Sequence, residues 1–186
     1  MCVCCASVVG IYSYSIILYL PLFIFPLEIY SVTSHSEPYF FRFWDVNQKF
    51  LYLKNNVLVA SPRSVNTPEQ LMTVLPNNAL DPTKLPIFMG LGTGRPTLSC
   101  VKSGAGQLQL QLVVNIKDLY QKNEQLLKHK NFTFFSKTGQ TQEACSIESI
   151  AFPGWFLSTS PEPDKPVAFS HEGGTMITLF YFDKKK

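Results

Sequence analysis

A chain of 186 residues with a formal charge of +3 is long enough for one domain with a substantial core and a further short segment. The small charge, and the lack of basic clusters interleaved with aromatic residues, argue against nucleic-acid binding; Lys184-Lys185-Lys186 reads as a solvated basic tail. Of the five cysteines, Cys2, Cys4 and Cys5 crowd the start, which leaves Cys100 and Cys145 in the body as either a bridge or two buried thiols.

From Val8 to Leu27 the chain is almost wholly apolar, and no basic residue precedes Arg42. The run is read as signal-like, with small residues near Ser31 to Ser34 as a weak cleavage site. A membrane anchor and a non-native start are the alternatives. The run approaches spanning length, but Pro21 and Pro26 interrupt a clean spanning helix. Residues 1–36 are therefore set apart from a folded domain at 37–186.

The body reads as short strands separated by turns. Phe40 to Trp44 is the first. Leu51 to Leu53 and Val57 to Ala60 flank Asn55-Asn56, and asparagine tolerates the positive φ of a hairpin turn. Leu71 to Leu75 and Ile87 to Leu91 follow, with proline-rich connections and Gly92-Thr93-Gly94 as a turn. Leu98 to Val101 pairs across residues 102–106 with Leu108 to Leu112, where three leucines alternate with two glutamines and face inward. Ile116 to Tyr120 is a candidate helical turn and Gln121 to Lys130 a polar loop. Phe132 to Ser136 is a strand turned by Thr138-Gly139-Gln140, and Ile147 to Ile150 leads into Pro153-Gly154, a turn pair that starts the strand at Trp155. Thr175 to Phe182 closes the chain as a β-branched and aromatic strand.

About a dozen such strands with no long helix predict a closed or sandwich-like all-β domain. Strand, turn and strand recur around Asn55, Gly104, Gly139 and Pro163. The expected core includes Leu53, Leu58, Leu108, Leu110, Leu112, Phe134, Phe156 and Phe180.

No catalytic constellation is visible. His35, His129 and His171 lie far apart, and no metal-ligand spacing occurs. Gly90 to Gly94 lacks the lysine and helix of a phosphate loop. Glu143 and Glu148 read as exposed strand-end acids. Asn131-Phe132-Thr133 is a glycosylation sequon, meaningful only if the chain enters the secretory path, and Phe132 and Phe134 suggest a packed strand there.

The stretch Pro153-Gly154-Trp155-Phe156, followed by Thr159 and by Val167, resembles the signature of the interleukin-1 cytokine family. Ile147 and Ile150 depart from its usual residues but keep their apolar character. Trp44-Asp45-Val46-Asn47-Gln48-Lys49, Leu98 to Gly104, Val114-Asn115-Ile116 and Phe180-Tyr181-Phe182 are similar to the receptor-antagonist branch. Leu75-Pro76-Asn77 and Pro86-Ile87-Phe88 look more like the branch of the interleukin-36 receptor antagonist and interleukin-38. Phe152 and Ser158 stand where relatives often carry cysteine, so a bridge from Cys100 to that region cannot form.

The resemblance implies a β-trefoil of about twelve strands, secreted as a monomer. It implies a ligand for the ectodomain of an interleukin-1-type receptor, acting in inflammatory and immune signalling without catalysis, cofactor, metal or small-molecule substrate. Receptor contacts carry over to Trp44, Gln48 and Tyr181, whereas Pro62 and Ser64 do not match the family's residues. Leu179 matters for signalling: several agonists have an acidic residue there, the receptor antagonist a lysine. Overall likeness leans toward antagonism. If Phe180 and Phe182 face inward, Leu179 and Tyr181 face outward and lie near Trp44 provided the terminal strands pair. The alternative is a carbohydrate-binding or protease-inhibiting trefoil, although neither Trp44 nor Trp155 sits in a Gln-x-Trp motif.

Overall fold

The structure is a computed structural model and describes residues 38–66, 68–77, 80–92, 96–115, 130–138 and 144–185. The expected helical turn at Ile116 to Tyr120 and the segment 1–36 lie outside them. Among the described residues no helix is long and apolar enough to cross a membrane.

Among the described residues thirteen strands form one sheet. They are β1 Tyr39–Asp45, β2 Lys49–Lys54, β3 Val57–Pro62, β4 Met72–Pro76, β5 Pro86–Leu91, β6 Pro96–Lys102, β7 Leu108–Asn115, β8 Thr133–Thr138, β9 Cys145–Ser149, β10 Phe156–Ser158, β11 Lys165–Pro166, β12 Ala168–Ser170 and β13 Phe180–Lys185. Six of them close a ring: β1 pairs with β4, β4 with β5, β5 with β8, β8 with β9, β9 with β13, and β13 with β1 again, every pair antiparallel. Three outer pairs grow from the ring: β2–β3 beside β1, β6–β7 beside β5, and β10–β12 beside β9. A six-stranded barrel with three added hairpins, one per four-strand unit, is a β-trefoil. The thirteenth strand is β11, two residues that pair with β3.

Local chemistry explains the outer turns. Asn55 and Asn56 both take positive φ, 50° and 62°, as a two-residue hairpin requires. In Phe152-Pro153-Gly154-Trp155 the Trp155 N–H donates to the Phe152 carbonyl at 3.1 Å, and Gly154 holds φ at 84°. Proline before glycine is the composition that a type II turn favours. Three of the four recurring turns thus belong to outer hairpins. Gly139 lies outside the described residues, and the strands on either side of it, β8 and β9, are neighbours in the barrel.

The core fills the barrel with Phe41, Phe43, Leu51, Leu58, Met89, Leu98, Phe134, Leu157 and Phe180, among others. Of the expected core residues, Leu58, Phe134, Phe156 and Phe180 are buried. Leu53, Leu108, Leu110 and Leu112 are half-buried and pack against the cluster from its rim. β6 and β7 form the hairpin expected from the sequence, with Leu98 opposite Leu112 and Lys102 opposite Leu108. Cys100 and Cys145 are buried and form no disulfide.

Two expectations need correction. The closing strand runs over Phe180–Lys185 and not Thr175 to Phe182. Between Ser170 and Leu179 the chain makes one isolated bridge, Thr159 to Ile177, and Gly173 takes a positive φ of 80°. Lys184 and Lys185 are strand residues because the barrel closes there, opposite Phe41 and Phe40. Glu148 is no exposed acid: it is 8 % exposed on β9.

Candidate functional site

Closure of the ring sets Trp44 of β1 directly across from Tyr181 of β13. Their rings stack with centroids 6.1 Å apart. On its other side Trp44 stacks on Phe50 of β2 at 5.5 Å, and the Arg63 guanidinium lies 6.0 Å from the Phe50 ring. A row of Tyr181, Trp44, Phe50 and Arg63 therefore crosses the outside of the barrel wall. Trp44 packs on a small outer cluster of Phe50, Tyr52 and Val59, separate from the barrel interior.

Gln48 is exposed in the β1–β2 turn with φ at 62°, a conformation that a residue with a side chain rarely adopts. The turn is held by Asp45, which is fully buried. One carboxylate oxygen accepts the N–H groups of Asn47 and Lys49 at 2.9 and 3.0 Å. The other accepts the Thr159 hydroxyl at 2.6 Å and pairs with the buried Lys49 ammonium at 3.2 Å. Lys49 also donates to the Ser160 carbonyl. A buried ion pair of this kind is satisfied on every side, which is the condition for it to be tolerated.

Leu179 abuts the same turn, since its carbonyl accepts the Val46 N–H at 3.3 Å. Trp44 and Tyr181 thus stack on one face, and Gln48 and Leu179 lie at the turn that follows Trp44. Leu179 and Tyr181 are half-buried, not fully exposed as period two alone suggested. The stack with Trp44 covers part of the tyrosine. Beside the aromatic row an open cleft of about 650 Å³ is lined by Tyr52, Arg63, Ser64, Glu69 and Leu71. Ser64 donates its N–H to the Tyr52 hydroxyl at 3.2 Å, and Glu69 pairs with Arg42. Pro62 is exposed at the end of β3.

Sequence reasoning singled out neither the Asp45–Lys49 pair nor Phe50 and Arg63. The i,i+4 spacing of Asp45 and Lys49 was a signal, but nothing local says that both are buried. Their burial depends on Thr159 and Ser160, more than a hundred residues away.

Elsewhere, Glu148 accepts the Gly154 N–H at 2.7 Å and meets the Lys137 ammonium at 2.7 Å. Burial pushes its carboxyl up, but the Lys137 bond, the Gly154 N–H and the Lys137 charge outweigh that and leave it below the ordinary value. Burial pushes the Cys100 thiol up to about 11. Asn131 is exposed on a short 3-10 turn, Lys130–Phe132, ahead of β8. Among the described residues no group of three His, Cys, Asp or Glu side chains could hold a metal ion.

The family model described as Interleukin-1 / 18 matches residues 64–182. The chain belongs to the interleukin-1 family. This interleukin-1 family cytokine is 44% identical over 151 residues to the human interleukin-1 receptor antagonist protein, covering 77% of this chain and 78% of that one. It is 39% identical over 144 residues to mouse interleukin-1 family member 10, covering 76% and 91%. The crystal structure of chicken interleukin 1 beta superposes with a TM-score of 0.64 at 25% identity, covering 80% of this chain and 97% of that chain. The Thr159 of the family signature is the residue whose hydroxyl closes the Asp45 network.

Proposed function

We propose that this cytokine is a secreted monomer that binds the ectodomain of an interleukin-1-type receptor and acts as an antagonist. In this reading Trp44, Gln48, Leu179 and Tyr181 belong to the contact surface, and the domain at 37–186 carries the binding while the apolar segment 1–36 serves export. The observation that carries it is the aromatic row with its buttressed turn, on a chain 44% identical to a receptor antagonist protein. Stacked aromatic side chains on a rigid strand pair are the kind of anchor that dominates interfaces. Leu179 is uncharged, which agrees with its likeness to antagonists only in lacking the acid of several agonists. The relatives reported above are cytokines, and nothing in them favours a carbohydrate-binding or protease-inhibiting trefoil.

The test is binding to immobilised interleukin-1-type receptor ectodomains, with glycans as the contrasting ligand. Trp44→Ala and Tyr181→Ala each weaken receptor binding by about 1–3 kcal/mol while circular dichroism stays that of the parent. Parental binding by both variants would refute this surface. In receptor-bearing cells the protein blocks an agonist and evokes no response alone; a response alone would refute antagonism. Removal of residues 1–36 leaves the melting temperature nearly unchanged, and a large fall would refute the domain boundary.

A further inference from the structure

We propose that Asn131 carries an N-linked oligosaccharide, attached before β8 docks into the barrel. The inference rests on the export reading above, because the modifying enzyme and its donor meet only chains that enter the secretory path. Asn131-Phe132-Thr133 is the one Asn-x-Ser/Thr sequon in the sequence, with phenylalanine and not proline in the middle. In the folded domain Asn131 is exposed on the turn before β8, so a bulky group on its side chain meets solvent.

Thr133 behaves differently. It is 0% exposed, and its hydroxyl accepts a hydrogen bond from the buried Asn77 amide at 2.9 Å. The sequon hydroxyl must be presented to the enzyme together with the asparagine. Once β8 pairs with β5 at Phe88 and Thr133, that presentation is closed. Transfer therefore precedes docking, and the product folds with its glycan outside.

In the transfer a bond forms between Nδ2 of Asn131 and the anomeric carbon of a lipid-diphosphate-linked oligosaccharide. The sugar–phosphate bond breaks, the lipid diphosphate leaves with the bonding pair, and one amide proton is lost to the enzyme's base.

The position also agrees with the proposed binding surface. Round the ring β1, β4, β5, β8, β9, β13, strand β8 is three strands from β1 in either direction. Asn131 immediately precedes the strand that lies opposite the one carrying Trp44.

The experiment expresses the full chain in mammalian cells and analyses medium and lysate with and without peptide N-glycosidase. The expected result is a secreted species whose mobility shifts on treatment. The shift is absent in Asn131→Gln and Thr133→Ala and retained in Thr133→Ser, which keeps the hydroxyl. Because there is a single sequon, any shift is assignable. Asn131→Gln binds receptor like the parent. Folded protein made in bacteria stays unmodified when offered to detergent-permeabilised microsomes with donor, whereas chain diluted from urea into the same mixture is modified. Secreted protein that never shifts overturns the glycan inference and leaves export standing. Protein confined to the cytosol overturns both. Modification of the folded bacterial protein overturns the proposed order of events.

Discussion

The Asp45 network makes a quantitative demand on stability. Asp45→Ala strands the Lys49 ammonium at 3% exposure with the Ser160 carbonyl as its partner. It also deprives the Lys49 N–H and the Thr159 hydroxyl of their shared acceptor. Breaking a buried ion pair from one side costs about 3–5 kcal/mol. The orphaned donors place this variant at the upper end of that range, because each buried group left unmade costs about 1–3 kcal/mol and the losses overlap. With a urea slope of about 2 kcal/mol per molar, the midpoint falls by about 2 M. Lys49→Met is milder, about 1–3 kcal/mol, because Asp45 keeps the two N–H groups and the Thr159 hydroxyl. The double variant loses less than the sum of the two, since it buries no lone charge. Urea unfolding followed by tryptophan fluorescence measures all three. A loss below about 1 kcal/mol for Asp45→Ala, or a larger loss for Lys49→Met, would refute the reasoning.

Leu98→Ala empties a fully buried site and costs about 2–5 kcal/mol, whereas Leu110→Ala, at the rim of the same hairpin, costs clearly less; thermal melts of both variants check the order. Glu148 is held below its ordinary value of 4.5, so it adds stability that is present above that pH and lost as the pH falls through the folded value. Glu148→Gln removes this dependence, and denaturant midpoints of the two proteins converge below pH 4.5; parallel profiles would refute it. Cys100, buried with its thiol raised to about 11, resists alkylation at pH 8 in the native protein and reacts once unfolded, as peptide mass spectrometry reports; equal rates in both states would refute the burial argument.

Much of the barrel was legible from local patterns. Asn55-Asn56 announced a hairpin because few residue pairs accept two positive φ values. Leu108 to Leu112 announced its core-facing side because period two leaves one face for the core. The closing strand was misplaced for the opposite reason. Thr175 to Leu179 has strand-like composition, but pairing is granted by the partner. That partner, β1, reaches Lys184 and Lys185, whose charges disguise them as a tail. The candidate site was legible in part for the same cause. Trp44, Gln48, Leu179 and Tyr181 could be named from a resemblance, and their proximity followed only if the ends paired. Asp45 and Lys49 looked like ordinary surface charges, because what buries them is the distant Thr159–Ser160 segment.

The first and last strands of the barrel are neighbours, with Phe40 opposite Lys185. During synthesis this seam cannot form until Phe180 to Lys185 have left the ribosome. Until then β1 and β9 each present an open edge, the arrangement that invites pairing with a foreign strand. Phe41 and Phe43 also lack their eventual lid of Phe180 and Phe182. A premature stop ahead of β13 therefore does more than shorten the protein. It leaves two unzipped borders beside an uncovered aromatic core, and such a fragment is fated for aggregation or chaperone capture instead of a slightly weakened fold.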